Sequence, residues 1–243
     1  MAHESGLRGA DDPLKTIKLI AAFSVVLLVV LSAQAQGTFQ NLNFESANIP
    51  GGTVGPFVPV SEAVPGWSAY FTSGGVNYPQ SEVGYDFISL GGNDITLIDS
   101  KSGISPLQGN YSVMLYGGGN NPYYSASISQ TGLIPSGDQT LLMDAEYANV
   151  APVVAINGQA ISMIPLQAFA NYTVYGGTIP SVDVGADSTT ISFTEAPLAS
   201  GGLGILELDN ISFSPNAVPE PSPWMLTGIG GFFLALRRWY LKR

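Results

Sequence analysis

An all-β sandwich is the fold that the sequence predicts for residues 36–217. Short segments rich in β-branched and aromatic residues recur between clusters of Gly, Pro, Asn and Ser, a pattern typical of sandwiches and barrels. Polar and apolar residues alternate along 125–129 and 206–213, as in strands that bury one face. No stretch of this region shows a sustained helical period.

Ten segments have the length and composition of strands. They are residues 81–90, 94–98, 111–116, 123–130, 139–148, 153–156, 161–164, 168–175, 189–193 and 203–213. Asn157 and Gly158 lie between two of these segments and predict a tight hairpin turn, because both residue types adopt positive φ angles readily. The glycine-rich loop 117–122 precedes neither a helix nor a Lys, so it does not indicate a phosphate site.

Residues 1–35 have the features of a secretory signal peptide. Two lysines precede the apolar run 19–31, and Ala33 and Ala35 form an A-x-A cleavage site. Cleavage after Ala35 would leave Gln36 as the first residue, which implies the Sec translocon and signal peptidase as partners. An uncleaved membrane anchor is the alternative.

The composition of residues 36–217 excludes several kinds of site. This region has no Cys and no His, since the single His of the chain is His3, and this excludes Ser-His-Asp and Cys-His catalysis and the usual zinc sites. It holds 14 acidic residues and one basic residue, Lys101, a formal net charge of −13. Such a surface repels nucleic acid and attracts divalent cations, of which calcium is the natural candidate.

Residues 218–243 combine three features at the C-terminus. Val218, Pro219, Glu220 and Pro221 belong to a Pro-Glu-Pro motif at 218–222; an uncharged apolar run occupies 224–236; and a basic end, 237–243, begins with Arg237 and Arg238. A helix over 224–236 would span roughly 20 Å, less than the bilayer hydrocarbon core of about 30 Å. The run is therefore a marginal transmembrane helix.

This order of motif, helix and basic end resembles the PEP-CTERM sorting tail of Gram-negative bacteria. The resemblance implies that the chain is held transiently in the inner membrane and cut near residues 219–221 by an exosortase-type membrane protease. The positive-inside tendency places Arg237 and Arg238 in the cytoplasm and residues 36–217 outside. An ordinary C-terminal membrane anchor is the alternative.

A second resemblance covers nearly all of residues 36–217. Its matching segments are 41–45, 64–67, 109–115, 126–135 and 208–213. Their order resembles that of the galactose-binding-like jelly-roll sandwiches found in many carbohydrate-binding modules; a different jelly roll or an immunoglobulin-like sandwich is the alternative. The resemblance implies a structural calcium where the first strand meets the last, and the matching positions are Glu45 and Asp209.

Aromatic and acidic residues suggest two further sites. Tyr123 and Tyr124 follow the glycine-rich loop and are the predicted platform for stacking a sugar ring. Asp144 and Glu146 would share one face of a predicted strand, as two glycosidase carboxylates could. Nothing around them resembles a glycosidase motif, and we predict no enzymatic activity and no catalytic residues.

The sequence predicts an exported, non-catalytic protein of the cell surface or extracellular matrix of a Gram-negative bacterium. The competing interpretation is a carbohydrate-binding module for polysaccharide of the cell surface or biofilm matrix. A structural calcium is the one cofactor that the sequence suggests.

Overall fold

A computed structural model of the protein describes residues 38–49, 57–87, 92–118, 123–186, 188–199 and 201–218. Within these residues two β-sheets pack on each other, which confirms the predicted all-β sandwich. The strands are β1 (Phe57–Pro59), β2 (Ser68–Ser73), β3 (Val76–Gln80), β4 (Glu82–Tyr85), β5 (Asp94–Ile98), β6 (Ser112–Gly117), β7 (Ser125–Gly132), β8 (Thr140–Ala148), β9 (Val153–Ile156), β10 (Gln159–Ile161), β11 (Met163–Ala168), β12 (Thr173–Thr178), β13 (Thr189–Glu195) and β14 (Gly204–Ser214). A one-turn helix, α1 (Val60–Ala63), follows β1.

The two sheets differ in size. In the described residues the larger sheet has eight strands in the order β1-β4-β5-β6-β14-β8-β12-β11, and the smaller has six in the order β10-β9-β13-β7-β2-β3. Neighbouring strands are antiparallel except β4 and β5, which pair in parallel. The longest strand, β14, lies inside the larger sheet and pairs with both β6 and β8.

The core lies between the sheets because each strand turns alternate side chains inward. Leu206 and Leu208 of β14 and Ile191 and Phe193 of β13 belong to one buried cluster. Trp67 also belongs to this cluster, and its indole N–H donates to the carbonyl of Asn41 at 3.0 Å. The apolar interior therefore extends from both sheets to the N-terminal segment.

A bulge in β14 fixes that N-terminal segment. The pairing of β14 with β8 changes register between Asp209 and Ser212, and Asn210 has a φ of +45°. The N–H of Ile211 is turned away from β8 and donates to the carbonyl of Leu42 at 2.8 Å. The bulge thus ties the first described segment to the last strand.

The predicted strand limits agree with the structure to different degrees. Asp94–Ile98 and Val153–Ile156 have the predicted limits. The prediction of one strand over 168–175 is wrong: the N–H of Phe169 donates to the carbonyl of Tyr172 at 2.8 Å, and this turn separates β11 from β12. The aromatic composition of the turn is typical of a strand, but its rings stack on each other instead of continuing the sheet.

Strands β1, β2 and β3 were not predicted. Pro79 lies in β3 and breaks the usual strand signal, and the structure places β3 at the edge of its sheet, where a missing N–H costs little. Gly74 and Gly75 join β2 to β3 with positive φ angles of 58° and 78°, as a hairpin turn requires. The predicted segment 81–90 is shorter than expected, since β4 ends at Tyr85 and residues 88–90 lie outside the described part.

The hairpin predicted at Asn157 and Gly158 is confirmed. Both residues have positive φ angles, 49° and 78°, between β9 and β10. The Asn157 side chain donates to Asp183 at 2.7 Å and accepts from the backbone N–H of Thr190 at 2.9 Å. The turn is therefore held by side-chain hydrogen bonds as well as by its dipeptide.

The two predicted termini lie mostly outside the described residues. This applies to Ala33 and Ala35 of the signal peptide, to residues 219–222 of the motif, to the apolar run 224–236, and to Arg237 and Arg238. Val218 is the last residue that the structure describes. No helix among the described residues is long and apolar enough to cross a membrane.

Candidate functional site

Four carboxylates form a square on the outer face of the larger sheet. Glu207 of β14 lies opposite Glu146 of β8, and Asp209 lies opposite Asp144. The residues between them on β14 and β8, such as Leu208, point into the core, so the four acids point away from it. The alternation of residues 206–213 predicts this face for β14, whereas the cross-strand pairing could not be read from the sequence.

Glu45 and Asp209, the predicted calcium positions, line one cavity of about 140 Å³. The Glu45 carboxylate accepts the backbone and side-chain N–H groups of Asn110 at 2.7 and 2.8 Å and the N–H of Tyr111 at 3.1 Å. Burial opposes the charge on Glu45, but these hydrogen bonds outweigh it and lower the pKa of Glu45. Glu45 is therefore an ionised carboxylate at the mouth of the cavity.

Asp209 is more deeply placed in the same cavity. Its Oδ2 accepts the N–H of Gln108 at 3.1 Å and the hydroxyl of Ser112 at 3.2 Å. Burial raises the pKa of Asp209 to about 7 despite these bonds, and the negative charge of Glu45 adds to the rise. Among the described residues no group of three or more acidic side chains is arranged to hold a metal ion, so calcium stays a prediction.

A hydrogen-bonded network joins this cavity to an aromatic cleft. Gln108 donates its side-chain N–H groups to the Oδ2 atom of Asp144 and, at 3.0 Å, to the hydroxyl of Tyr172. Asn210 donates to the same Asp144 oxygen at 3.1 Å. The side chain of Asn171 donates to the carbonyl of Leu107 at 3.3 Å, which fixes the turn between β11 and β12.

The aromatic cleft has a volume of about 230 Å³. Tyr147 and Phe169 expose 38% and 46% of their surface, large fractions for such rings. Tyr147 lies 5.6 Å from Tyr175, centroid to centroid, and Phe169 stacks on Tyr172 at 4.7 Å with an interplanar angle of 21°. The other residues that line the cleft are Ala145, Glu146, Ala170, Asn171 and Thr173. Apolar ring faces thus lie beside carboxylate, amide and hydroxyl groups in one concave surface.

Sequence reasoning missed this cleft because it counted Tyr172 and Tyr175 within one continuous strand. The cleft exists because Phe169–Tyr172 is a turn, which places its rings beside those of β8 and β12. The aromatic residues Phe169, Tyr172 and Tyr175, which lie close together in the sequence, are the one signal that could have indicated it.

The predicted platform at Tyr123 and Tyr124 is only half exposed. Tyr123 exposes 46% of its surface, but Tyr124 is partly buried and meets Tyr78 edge to face at 5.9 Å. Gly118 and Tyr124 exchange two backbone hydrogen bonds of 2.8 Å, which turn Tyr124 towards the smaller sheet. The two rings therefore do not form one flat surface.

Asp144 and Glu146 share a face, as predicted, but their surroundings differ. Asp144 is buried, and its Oδ2 accepts hydrogen bonds from both Gln108 and Asn210. Burial raises the pKa of Asp144, and the two amide donors only partly offset this rise. Glu146 is exposed. The side chains of Gln108 and Asn210 therefore occupy the Oδ2 atom of Asp144. Asp144 would have to give up these hydrogen bonds in order to act as a catalytic carboxylate.

Glu195 is a buried carboxyl group that the sequence reasoning did not single out. It follows Ile191 and Phe193 on the inward face of β13, and it is 0% exposed. Neither of its carboxyl oxygens has a hydrogen-bond partner, and burial raises its pKa to about 8. Glu195 is therefore protonated at neutral pH. In the sequence, the two-residue alternation along Thr189–Glu195 puts Glu195 on the same strand face as Ile191 and Phe193. That alternation could have indicated that Glu195 is buried.

The chain is similar to solved structures at low sequence identity. No family model matches the chain, and no curated protein matches it. Among solved structures, the chain is similar to TmCBM61, described in complex with beta-1,4-galactotriose, with a TM-score of 0.39 and 11% identity over 74% of this chain and 98% of that one. It is also similar to the enzymatically active domain of tailspike protein 4 of bacteriophage CBA120, with a TM-score of 0.34 and 15% identity over 61% of this chain and 19% of that one.

Replacing Glu195 with Gln should reduce the pH dependence of stability. The folded protein binds the Glu195 proton up to about pH 8, and the unfolded chain releases it near the ordinary value of 4.5, so stability falls as pH rises between these values. Each pKa unit corresponds to about 1.4 kcal/mol, so the free energy of unfolding that Glu195 removes over this pH range is on the order of a few kcal/mol. Thermal melts from acidic to mildly alkaline pH measure this loss of stability.

We expect the melting temperature of Glu195→Gln to fall less steeply than that of the parent protein between acidic and mildly alkaline pH. The exposed Glu82→Gln substitution is the matched control and should leave the slope unchanged. Parallel melting curves for Glu195→Gln and the parent would contradict the assignment of a raised pKa to this residue.

Proposed function

We propose that the β-sandwich is an exported, non-catalytic glycan-binding module and that the aromatic cleft around Tyr147 is its binding surface. One observation favours this function over a purely structural role. Exposed Tyr and Phe rings line a concave surface together with Glu146 and Asn171. Sugar rings have apolar C–H faces and polar hydroxyl edges, so they match a surface that offers aromatic faces and hydrogen-bonding groups side by side.

The cleft is also arranged before any ligand arrives. The hydroxyl of Tyr172 is held by Gln108, and the amide of Asn171 is held by the Leu107 carbonyl. Phe169 is stacked on Tyr172. Because these side chains are already ordered, a ligand loses less free energy to ordering them when it binds.

This role is compatible with delivery by the two termini. The signal peptide at 1–35 would export the chain, and the PEP-CTERM-like tail at 218–243 would hold it in the inner membrane until an exosortase-type protease acts. The module would then meet polysaccharide at the cell surface or in the extracellular matrix. The galactose-binding-like jelly roll remains the finer fold that we propose for the sandwich, supported by the contact between the first described segment and the last strand.

We further propose that the cavity between Glu45 and Asp209 binds a structural calcium ion. Two acidic residues from distant parts of the sequence line this cavity, and Asn43 and Asn210 line it with them. Hard cations such as calcium prefer oxygen ligands of these kinds. A bound ion would join the first described segment to β14, so it would stabilise the fold rather than act in catalysis.

Glycan binding should depend on the cleft rings and not on other exposed aromatic residues. The full-length chain, tested on a polysaccharide panel by affinity electrophoresis or a glycan array, should bind at least one glycan. Tyr147→Ala and Phe169→Ala should each weaken that binding about tenfold, equivalent to about 1.4 kcal/mol. Phe57→Ala, which removes an exposed ring outside the cleft, is the matched control.

Tyr123→Ala separates the cleft from the platform that the sequence predicted. Loss of binding in Tyr123→Ala with full binding in Tyr147→Ala would move the site to the predicted platform. Absence of glycan binding by a folded chain, together with its recovery in bulk from the matrix, would favour the structural role.

Calcium should raise the melting temperature of the full-length chain, and a chelator should reverse the rise. A ligand at one hundred times its Kd stabilises a protein by about 2.7 kcal/mol, which a melting curve resolves easily. Asp209→Asn should abolish the effect, whereas Glu146→Gln, which alters an exposed acid outside the cavity, should preserve it. A midpoint unchanged by calcium would contradict the proposal.

Mass spectrometry of the mature protein tests the processing route. Purified from a Gram-negative host that has the sorting machinery, the chain should begin at Gln36 and end near residues 219–221. Glu220→Ala should impair removal of the tail, and Ser214→Ala upstream is its control. A C-terminus at Arg243 in the parent protein would leave a simple membrane anchor instead.

A further inference from the structure

A second cavity, of about 370 Å³, lies where one edge of each sheet meets the other. Phe71 and Gln80 reach it from the smaller sheet, and Phe57, Glu82 and Asp94 reach it from the larger one. Small-molecule sites in proteins are typically about 300–1,000 Å³, so this volume suits a small organic ligand. A still larger cavity beside Ile179 has no aromatic lining residue and no buried acid without a partner.

Three phenylalanine rings line the cavity. The rings of Phe57 and Phe87 lie 5.7 Å apart at an angle of 46°, and both are exposed. Phe71 is partly buried against the core and supplies the third ring. Aromatic faces are negative, so rings grouped in this way attract cations as well as apolar groups.

Asp94 gives the cavity an uncompensated negative charge. This residue is only 6% exposed, its Oδ1 accepts the N–H of Ile95 at 2.8 Å, and its buried Oδ2 has no hydrogen-bond partner. Burial raises its pKa to about 6, so the carboxylate is still largely ionised at neutral pH. Glu82 adds a second, exposed carboxylate at the rim.

The described part of the chain offers no positive charge to balance Asp94. The cavity lining has no Lys, Arg or His. Lys101 is the single basic side chain of the described residues, and it is 3.0 Å from Asp99. Burying a charge without a partner costs free energy. A cation that enters the cavity would offset this cost, because no basic group of the cavity lining does so.

We propose that this cavity binds a small organic ammonium ion, with its methyl or methylene groups against the three phenylalanine rings and its charge beside Asp94. The carboxylate acts through its charge and needs no direct hydrogen bond to the ligand, because an opposite charge within about 4–6 Å already interacts strongly. A bare metal ion fits less well, since aromatic rings supply no oxygen ligands. The acidic domain would also concentrate cations around the site. This inference is independent of the proposed glycan cleft.

Choline and its neutral carbon isostere, in which carbon replaces the ammonium nitrogen, test the proposal directly. Isothermal titration of the full-length chain should give a choline Kd at or below about 1 mM, as for other weak small-molecule complexes. The isostere has the same shape without the charge and should bind at least tenfold more weakly. Equal binding of the two ligands, or no binding of choline up to about 10 mM, would overturn the proposal.

Two variants separate the charge from the rings. Asp94→Asn should weaken choline binding at least tenfold and leave binding of the isostere unchanged, and Phe87→Ala should weaken both ligands. Glu195→Gln is the matched control, because it alters a buried, unpartnered carboxyl group that does not line the cavity. Melting curves will show whether each variant is folded.

If Asp94→Asn does not fold, choline binding by Phe87→Ala and the comparison of choline with its isostere test the proposal instead. Unchanged choline affinity in Phe87→Ala or in folded Asp94→Asn would overturn the proposal.

Discussion

The scarcity of positive charge constrains the buried acidic groups of this sandwich. Among the described residues Lys101 is the single basic side chain, and Asp99 already holds it. Buried carboxyl groups must therefore be satisfied by amide and hydroxyl donors, remain protonated, or bind an external cation. Each outcome occurs or is proposed here: Asp144 is held by Gln108 and Asn210, Glu195 is protonated in the core, and one carboxyl oxygen of Asp94 lacks a hydrogen-bond partner beside a cavity.

Strand β14 determines where these outcomes lie. It pairs with β6 on one side and β8 on the other, so its inward side chains form the middle of the core and its outward acids meet those of β8. Its bulge frees the N–H of Ile211 to bond the N-terminal segment, which brings Glu45 to the cavity that Asp209 lines. Burial raises the pKa of Glu207 to about 7, and the charges of Glu146 and Asp209 add to this rise. Strand β14 thus supplies apolar side chains to the core and, on its other face, acidic side chains whose charge must be compensated.

Local pattern predicted the elements and missed the contacts between them. The alternation along β14 and the hairpin at Asn157 and Gly158 were visible because each depends on neighbouring residues alone. The position of Glu45 beside Asp209 could be anticipated only from a family resemblance. The aromatic cleft and the Asp94 cavity depend on turns and on strand order, which bring together residues far apart in the sequence. Composition showed that bases are few, but it could not show which acid would be left alone.

The strand order also separates the two proposed ligand sites. The Asp94 cavity adjoins β4 and β5, whereas the aromatic cleft adjoins β8 and β12. Asp94 lies in β5 and Tyr147 in β8, and three strand-to-strand steps separate these strands in the larger sheet; at about 4.8 Å a step this is roughly 14 Å. One sugar or one small ammonium ion cannot reach both. Substitutions farther apart than about 10 Å usually act additively, so changes at Tyr147 and at Asp94 should affect separate binding reactions. A polymer bearing both sugar rings and ammonium groups is the kind of ligand that could couple the two sites, and coupling would then appear only with the polymer and not with its isolated units.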